Sequence, residues 1–304
     1  RMNLISQESK LTYYEWLHTH HCSNIGKKPI EIYAFIDPLC FDCWSLEPIL
    51  KKLQLEYGNL ISIKHVLSGK LSFFQTCKKT SVSQVHSKFS RNTTYKFTKH
   101  DYIIQQNEAN IPYNACIAIK AAELQGRKRG TQYLRKLREF YFLKKKDISN
   151  MSVLLECARK ANIDIEEFLQ DITSHTAAKL FQNDKHLTSE MGVQEIPSLV
   201  FFNENIEEEG IKVSGTHPYQ VYMSIMSEIM PTLPSPEPLP NIETFMRFYS
   251  VASTKEIAFI YNLNETAVES KMKKLLIRGV VTTLNIENVS AWKYIQNSND
   301  EEQC

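Results

Sequence analysis

Between Ile30 and Ile36 the sequence IEIYAFI is almost continuously apolar and β-prone, which predicts a strand buried on both faces of a sheet. Asp37-Pro38 ends it. Leu46, Leu50, Leu53 and Tyr57 then recur at i, i+4, i+7 and i+11, so one stripe of a helix faces a core, and Gly58 stops that helix. Ile61, Ile63, His65 and Leu67 alternate as a second strand would. Strand, helix, strand is a βαβ unit, and its first loop carries Cys40-Phe41-Asp42-Cys43.

From about Gly69 to Asn110 the chain is rich in Ser, Thr, Lys and Gln and shows little apolar periodicity. Beyond Pro112 the pattern turns helical, with Ile117, Ala121 and Leu124, then Tyr133, Leu134, Leu137 and Tyr141, then Val153, Leu154, Cys157 and Ala158, then Phe168, Leu169 and Ile172. A further helix marked by Ala177, Leu180, Phe181, Asp184, Leu187 and Met191 ends at Gly192. IPSLVFF, ending at Phe202, reads as a strand. An acidic turn from Asn203 to Gly210, a partner strand from Ile211 and a helix opened by Pro218 follow. Alternate prolines in PTLPSPEPLP (231–240) predict an extended spacer at a domain boundary.

After the spacer, Ile242–Tyr249, Thr254–Asn262 and Glu265–Arg278 read as helices. Ser253 or Thr254 and Asn264 serve as N-caps, and Val280–Leu284 and Ala291–Ile295 read as two strands. The predicted class is α/β. It comprises an N-terminal arm with His and Cys residues (1–28), a thioredoxin domain (29–230) with a helical insertion at about 70–173, the linker 231–240, and a winged-helix-like domain (241–304).

Composition narrows the function classes. Of the 304 residues, 42% are hydrophobic and 23% charged, the profile of a globular protein with ample core material. A net charge of +2 supplies no global field toward nucleic acid or an anionic membrane. No run approaches the roughly 18 apolar residues of a membrane span. The opening Arg1-Met2-Asn3-Leu4 has none of the parts of a secretory signal, and seven scattered cysteines do not read as a disulfide framework, so a reducing cytoplasmic setting is expected.

The C-x-x-C after a strand, with Ile196-Pro197 opening another, outlines a thioredoxin-like site. Cys40 at a helix N-terminus would feel unpaired N–H groups that favour its thiolate, and Cys43 would resolve mixed disulfides. Asp42 acts against strong oxidant chemistry, because a nearby like charge raises a thiol pKa. The pair is therefore expected to be a redox sensor or a silent remnant more than a general oxidant. A cis bond before Pro197 would open a backbone edge beside the cysteines. His18, His20, His21 and Cys22 supply four candidate zinc ligands, or else a solvated histidine cluster. Cys116 and Cys157 fall beside apolar helical positions and read as core residues. Arg127-Lys128-Arg129 and Lys144–Lys146 could meet an acidic partner or form solvated helix ends. The terminal domain balances Lys271, Lys273, Lys274 and Arg278 against Glu265 and Glu269, so protein docking is expected there in place of DNA reading.

The segments PIEIYAFIDPLCFDCWSLEPILKKL, KAAELQGRKRG, IPSLVFF with EEEGIKVSG, and VASTKEIAFIYNL with MKKL resemble the SpxH (YjbH) adapter family of Gram-positive bacteria, a cytoplasmic branch of the DsbA-like thioredoxin fold. The resemblance covers most of the chain and is weakest over 70–112. It implies an adapter and no enzyme: a protein that binds the redox-responsive regulator Spx and promotes its degradation by ClpXP, with ClpXP contacted indirectly or transiently. Cys40 and Cys43 match the family's dithiol. His18 to Cys22 lies where the family has a His-rich, zinc-associated arm. The alternative is a cytoplasmic thiol–disulfide oxidoreductase of the DsbA-like type using Cys40 and Cys43.

Overall fold

A computed structural model describes residues 28–69, 111–205, 209–286 and 289–295. Contacts divide the chain into two compact units, one containing Ile30–Glu47 and Ile63–Leu233, the other containing Pro48–Ser62 and the residues from Pro234 onward.

The first unit is built on a four-stranded sheet of order β2-β1-β3-β4, with β1 at Ile30–Ile36, β2 at Ile61–Leu67, β3 at Ser198–Phe202 and β4 at Ile211–Ser214. β3 runs antiparallel to β1, Phe35 facing Ser198 and Glu31 facing Phe202, and β4 runs antiparallel to β3. β1 is less uniformly buried than its composition predicts. Ile30, Ile32 and Ala34 through Ile36 are inside, while Glu31 and Tyr33 share a half-buried face, where the Lys64 ammonium reaches Glu31 at 2.7 Å and Tyr33 Oη at 3.1 Å. Nor does β2 alternate: Ile61, Val66 and Leu67 are buried and the four residues between them are half-buried. Among the described strands β2 lies at the edge, so position in the sheet, more than pleat, sets which of its residues are covered.

Two helices follow β1 where one was expected. α1, Phe41–Ser45, ends at Leu46, and α2, Glu47–Tyr57, starts anew. The Leu46 N–H still makes a regular helical bond to the Asp42 carbonyl at 3.3 Å, but Pro48 has no N–H to give the Trp44 carbonyl four residues before it, so the ladder is interrupted there. The helical block comprises α3 (Ile111–Leu124), α4 (Arg127–Arg138), a π turn (Glu139–Leu143), α5 (Met151–Lys160), α6 (Ile165–Ile172) and α7 (His175–Glu190). Side chains of Asn150, Asp164 and Ser174 cap α5, α6 and α7, each satisfying N–H groups that a helix start leaves open. The fully buried Tyr133, Leu137, Phe140 and Phe168 form the block's interior, each worth about 1.5–3 kcal/mol of burial. α8, Tyr219–Ile229, opens after Pro218.

In the second unit α9 (Ile242–Tyr249), β5 (Val251–Ser253), α10 (Thr254–Tyr261), α11 (Glu265–Ile277), β6 (Val281–Ile286) and β7 (Val289–Tyr294) form three helices and a sheet of order β5-β7-β6. Ser253 and Asn264 cap α10 and α11. The three-residue β5 gave no sequence signal. It is defined by pairing, Val251 to Ser253 lying along Lys293 to Ala291. Leu55 of α2 belongs to this unit's core, beside residues that include Phe245, Ile257, Met272 and Trp292. Lys51 makes a buried 2.5 Å ion pair with Glu256, and Lys52 donates to Asn262 at 2.8 Å. The proline segment is tied in as well, the Glu237 N–H bonding the Glu56 carbonyl at 2.8 Å.

Candidate functional site

The dithiol loop leaves the end of β1. Asp37 Oδ1 accepts from the Leu39 N–H at 2.7 Å, closing a tight turn that delivers Cys40 to the start of α1. Cys40 is the N-cap in extended conformation, and its Sγ accepts the Cys43 N–H at 3.4 Å, where an Asn or Ser oxygen would ordinarily sit. Cys43 is 1% exposed, and its Sγ accepts the Asp37 N–H at 3.4 Å. Both are free thiols. Burial pushes the Cys43 thiol well above its ordinary range and the adjoining Cys40 adds to this, while Arg138 pulls the other way. Cys43 is thus a buried protonated thiol at neutral pH, and half-buried Cys40 is the member of the pair open to attack or to attacking.

The Ile196–Pro197 peptide is cis. Because Phe35 faces Ser198, Pro197 lies across from the end of β1, where the cysteine loop departs. Its carbonyl accepts the Gly215 N–H at 2.7 Å, and the neighbouring Thr216 hydroxyl lies 3.4 Å from that of Ser45 on α1. The two segments that the sequence pairs are therefore joined through the β4–α8 loop.

Sequence reasoning missed the residue that holds this loop in place. Arg138, at the end of α4, is 2% exposed, and its guanidinium donates to the Pro38 carbonyl at 3.2 Å, the Asp37 carbonyl at 3.4 Å and Glu47 Oε2 at 3.2 Å. Glu47 Oε1 takes a second arginine, Arg135, at 2.9 Å. One planar fork thereby satisfies two loop carbonyls and a buried carboxylate. The only signal in the sequence was a cation beside Leu137 and four residues after Leu134, on an otherwise apolar stripe.

The π turn after Arg138 shifts the helix phase, the Lys144 N–H bonding the Glu139 carbonyl at 3.1 Å, and it brings Phe142 to the dithiol helix. Trp44 stacks on Phe142 at 4.6 Å and 9°, and Phe41 leans on it at 4.8 Å. Asp42 sits beside them, half-buried, and desolvation pushes its carboxyl to about 6. Asp37 is pushed to about 6 by burial, against the opposing Leu39 N–H and Arg138.

The remaining candidates separate. His18, His20, His21 and Cys22 lie outside the described residues, as do Cys77 and Cys304. Among the described residues no group of three His, Cys, Asp or Glu side chains could hold a metal ion. Cys116 and Cys157 are fully buried. Lys144 pairs with Glu139 at 3.0 Å, Lys146 with Glu156, and Arg129 with the Asn162 carbonyl. No described helix is long and apolar enough to cross a membrane.

Known proteins resemble this chain in sequence and fold. A family model described as thioredoxin matches residues 33–224. The ClpXP adapter protein SpxH of Bacillus cereus (strain ATCC 10987 / NRS 248) is 41% identical over 90% of this chain and 93% of its own length. The ClpXP adapter protein SpxH of Bacillus subtilis (strain 168) is 38% identical over 96% and 98%. Among solved structures, a candidate protein disulfide isomerase from Nitrosomonas europaea superposes with a TM-score of 0.55 at 15% identity, over 68% of this chain and all of that one. A candidate DsbA oxidoreductase from Streptomyces coelicolor gives 0.50 at 13% identity, over 69% and 94%. These two establish a DsbA-like thioredoxin fold.

Proposed function

The chain belongs to the SpxH family of ClpXP adapter proteins, and from that membership we propose that it binds the transcription regulator Spx in the cytoplasm and promotes its degradation by the ClpXP protease. The observation that carries this reading is the similarity to adapters along nearly the whole length of both chains. An adapter needs no bond-making chemistry. It accelerates proteolysis if it binds the degradable conformation of Spx more tightly than other conformations, so that the population entering the unfoldase rises. The test is a reconstituted degradation reaction with purified ClpXP and Spx. The half-life of Spx shortens when this protein is added, and an unchanged half-life would sink the proposal.

The dithiol supports a second reading, thiol–disulfide exchange, because a half-buried Cys40 at a helix start over a buried Cys43, with a cis proline across from them, is an arrangement able to form and resolve a mixed disulfide. Turnover of a small disulfide that disappears in Cys40→Ala would establish that activity. The Cys40→Ala/Cys43→Ala variant separates the two readings. If it still accelerates Spx degradation, holding Spx is independent of sulfur chemistry.

A further inference from the structure

We propose that the cavity between the edge strand β2 and helices α3, α4 and α7 is a binding site for a small oxyanion, a carboxylate or a phosphate group. The cavity measures about 150 Å³ and is lined by residues that include Lys64, His65, Lys120, Glu123, Arg127 and Asp184. That is space for several waters at about 30 Å³ each.

Most of the lining charge is already matched. Lys64 pairs with Glu31 at 2.7 Å. Lys120 lies 2.7 Å from both Glu123 and Asp184, and Asp184 also accepts the Leu67 N–H at 2.7 Å. Two lining groups are left without such partners among the described residues, the Arg127 guanidinium and the His65 imidazole. Arg127 opens α4, whose first turn holds no acidic residue, so nothing within the helix neutralises it. An oxyanion placed between them would gain a charge-assisted hydrogen bond from Arg127 and an N–H donor from His65.

The same geometry makes binding proton-linked. Burial holds the imidazole neutral, with a pKa pushed down to about 4. Arg138 and Arg135 of α4 and Lys120 of α3 push the same way, and Glu47 of α2 opposes them. Glu123 and Asp184 share the cavity but face Lys120. A bound anion favours the imidazolium, so its arrival raises the His65 pKa and takes up a proton, and affinity increases as pH falls from the raised bound-state value toward the free value of about 4.

The experiment is NMR titration of the full chain carrying ¹⁵N-labelled histidine, with the His65 signals identified by their loss in His65→Gln. Inorganic phosphate and succinate are the probes, and chloride at matched ionic strength is the control. A saturable His65 shift with either probe, a raised His65 pKa in its presence, and affinity weakened about tenfold in Arg127→Gln are expected. Response to phosphate alone or succinate alone supports the site and identifies the group it takes. Arg127 is exposed, so its variant keeps the fold, which a thermal melt verifies. No shift beyond that of chloride, or unchanged affinity in Arg127→Gln, overturns the proposal.

Discussion

Replacing Arg138 by methionine tests whether the helical block holds the dithiol loop. Methionine fills much of the same buried volume but removes all three donor contacts, leaving the Asp37 and Pro38 carbonyls without them and Glu47 with Arg135. Breaking a buried charge pair from one side costs roughly 3–5 kcal/mol. Against a total stability of roughly 5–15 kcal/mol this is a large fraction. The exchange also releases the desolvation cost of the guanidinium, so the lower end, about 3 kcal/mol, is expected. At a urea dependence of about 2 kcal/mol per molar, the unfolding midpoint should fall by about 1.5 M. Glu47→Gln and the double variant complete a cycle. Because Glu47 and Arg138 share one contact, the double variant should lose less than the sum of the singles, by at least about 1 kcal/mol. Cys40 should react faster with an aromatic disulfide reagent in Arg138→Met, since its loop has lost two anchors. A loss below about 1 kcal/mol, additive singles, or unchanged thiol reactivity would refute the clamp.

Three further outcomes are expected. Asp42→Asn should stabilise the protein at pH 8 and leave it unchanged at pH 4. The folded carboxyl titrates near 6 because it is desolvated, above its unfolded value, so the ionised form is penalised only as pH rises through that range. The gain is about 1–2 kcal/mol by thermal or urea unfolding, and a gain that persists at pH 4 contradicts the mechanism. Lys51→Met should cost about 3 kcal/mol by stranding Glu256 inside the second unit, whereas Lys51→Met/Glu256→Leu should recover most of that loss. Gly130→Ala, which raises helix propensity, should nonetheless destabilise by about 1–3 kcal/mol, because the new methyl would lie 2.8 Å from Cβ and 3.0 Å from Cα of Glu123; a stabilised variant would show that α3 yields.

What the sequence revealed was local. The C-x-x-C, the Ile-Pro step and the apolar run of β1 are legible because each is a short contiguous string tied to one backbone requirement. The second unit's helices were legible for a similar reason, their caps Ser253 and Asn264 being adjacent to the helices they start. Long-range arrangements were not legible. Arg138 meets Asp37 and Pro38 about a hundred residues away, and nothing in the string YLRKLREF separates a solvated arginine from a buried one. The half-buried run in β2 came from its place at the sheet edge, and β5 exists through its pairing with β7. The helix break at Pro48 was readable in principle. The Leu46–Tyr57 stripe concealed it, because an apolar period survives a break that costs only one ladder bond.

The way α2 is shared has a consequence for cutting the molecule. The segment Pro48–Ser62 groups with the residues after Pro234, so this unit is discontinuous in the chain, and the polypeptide leaves the sheet unit just after the dithiol helix and re-enters it in β2. A fragment beginning at Asn241 is therefore no independent module. It lacks Leu55 from its core and Lys51 for Glu256, whose side chain is only 4% exposed, and should be unfolded or aggregated. Insertion, deletion or swapping of the terminal domain along a simple linear boundary is closed to this architecture, since its last domain begins inside its first.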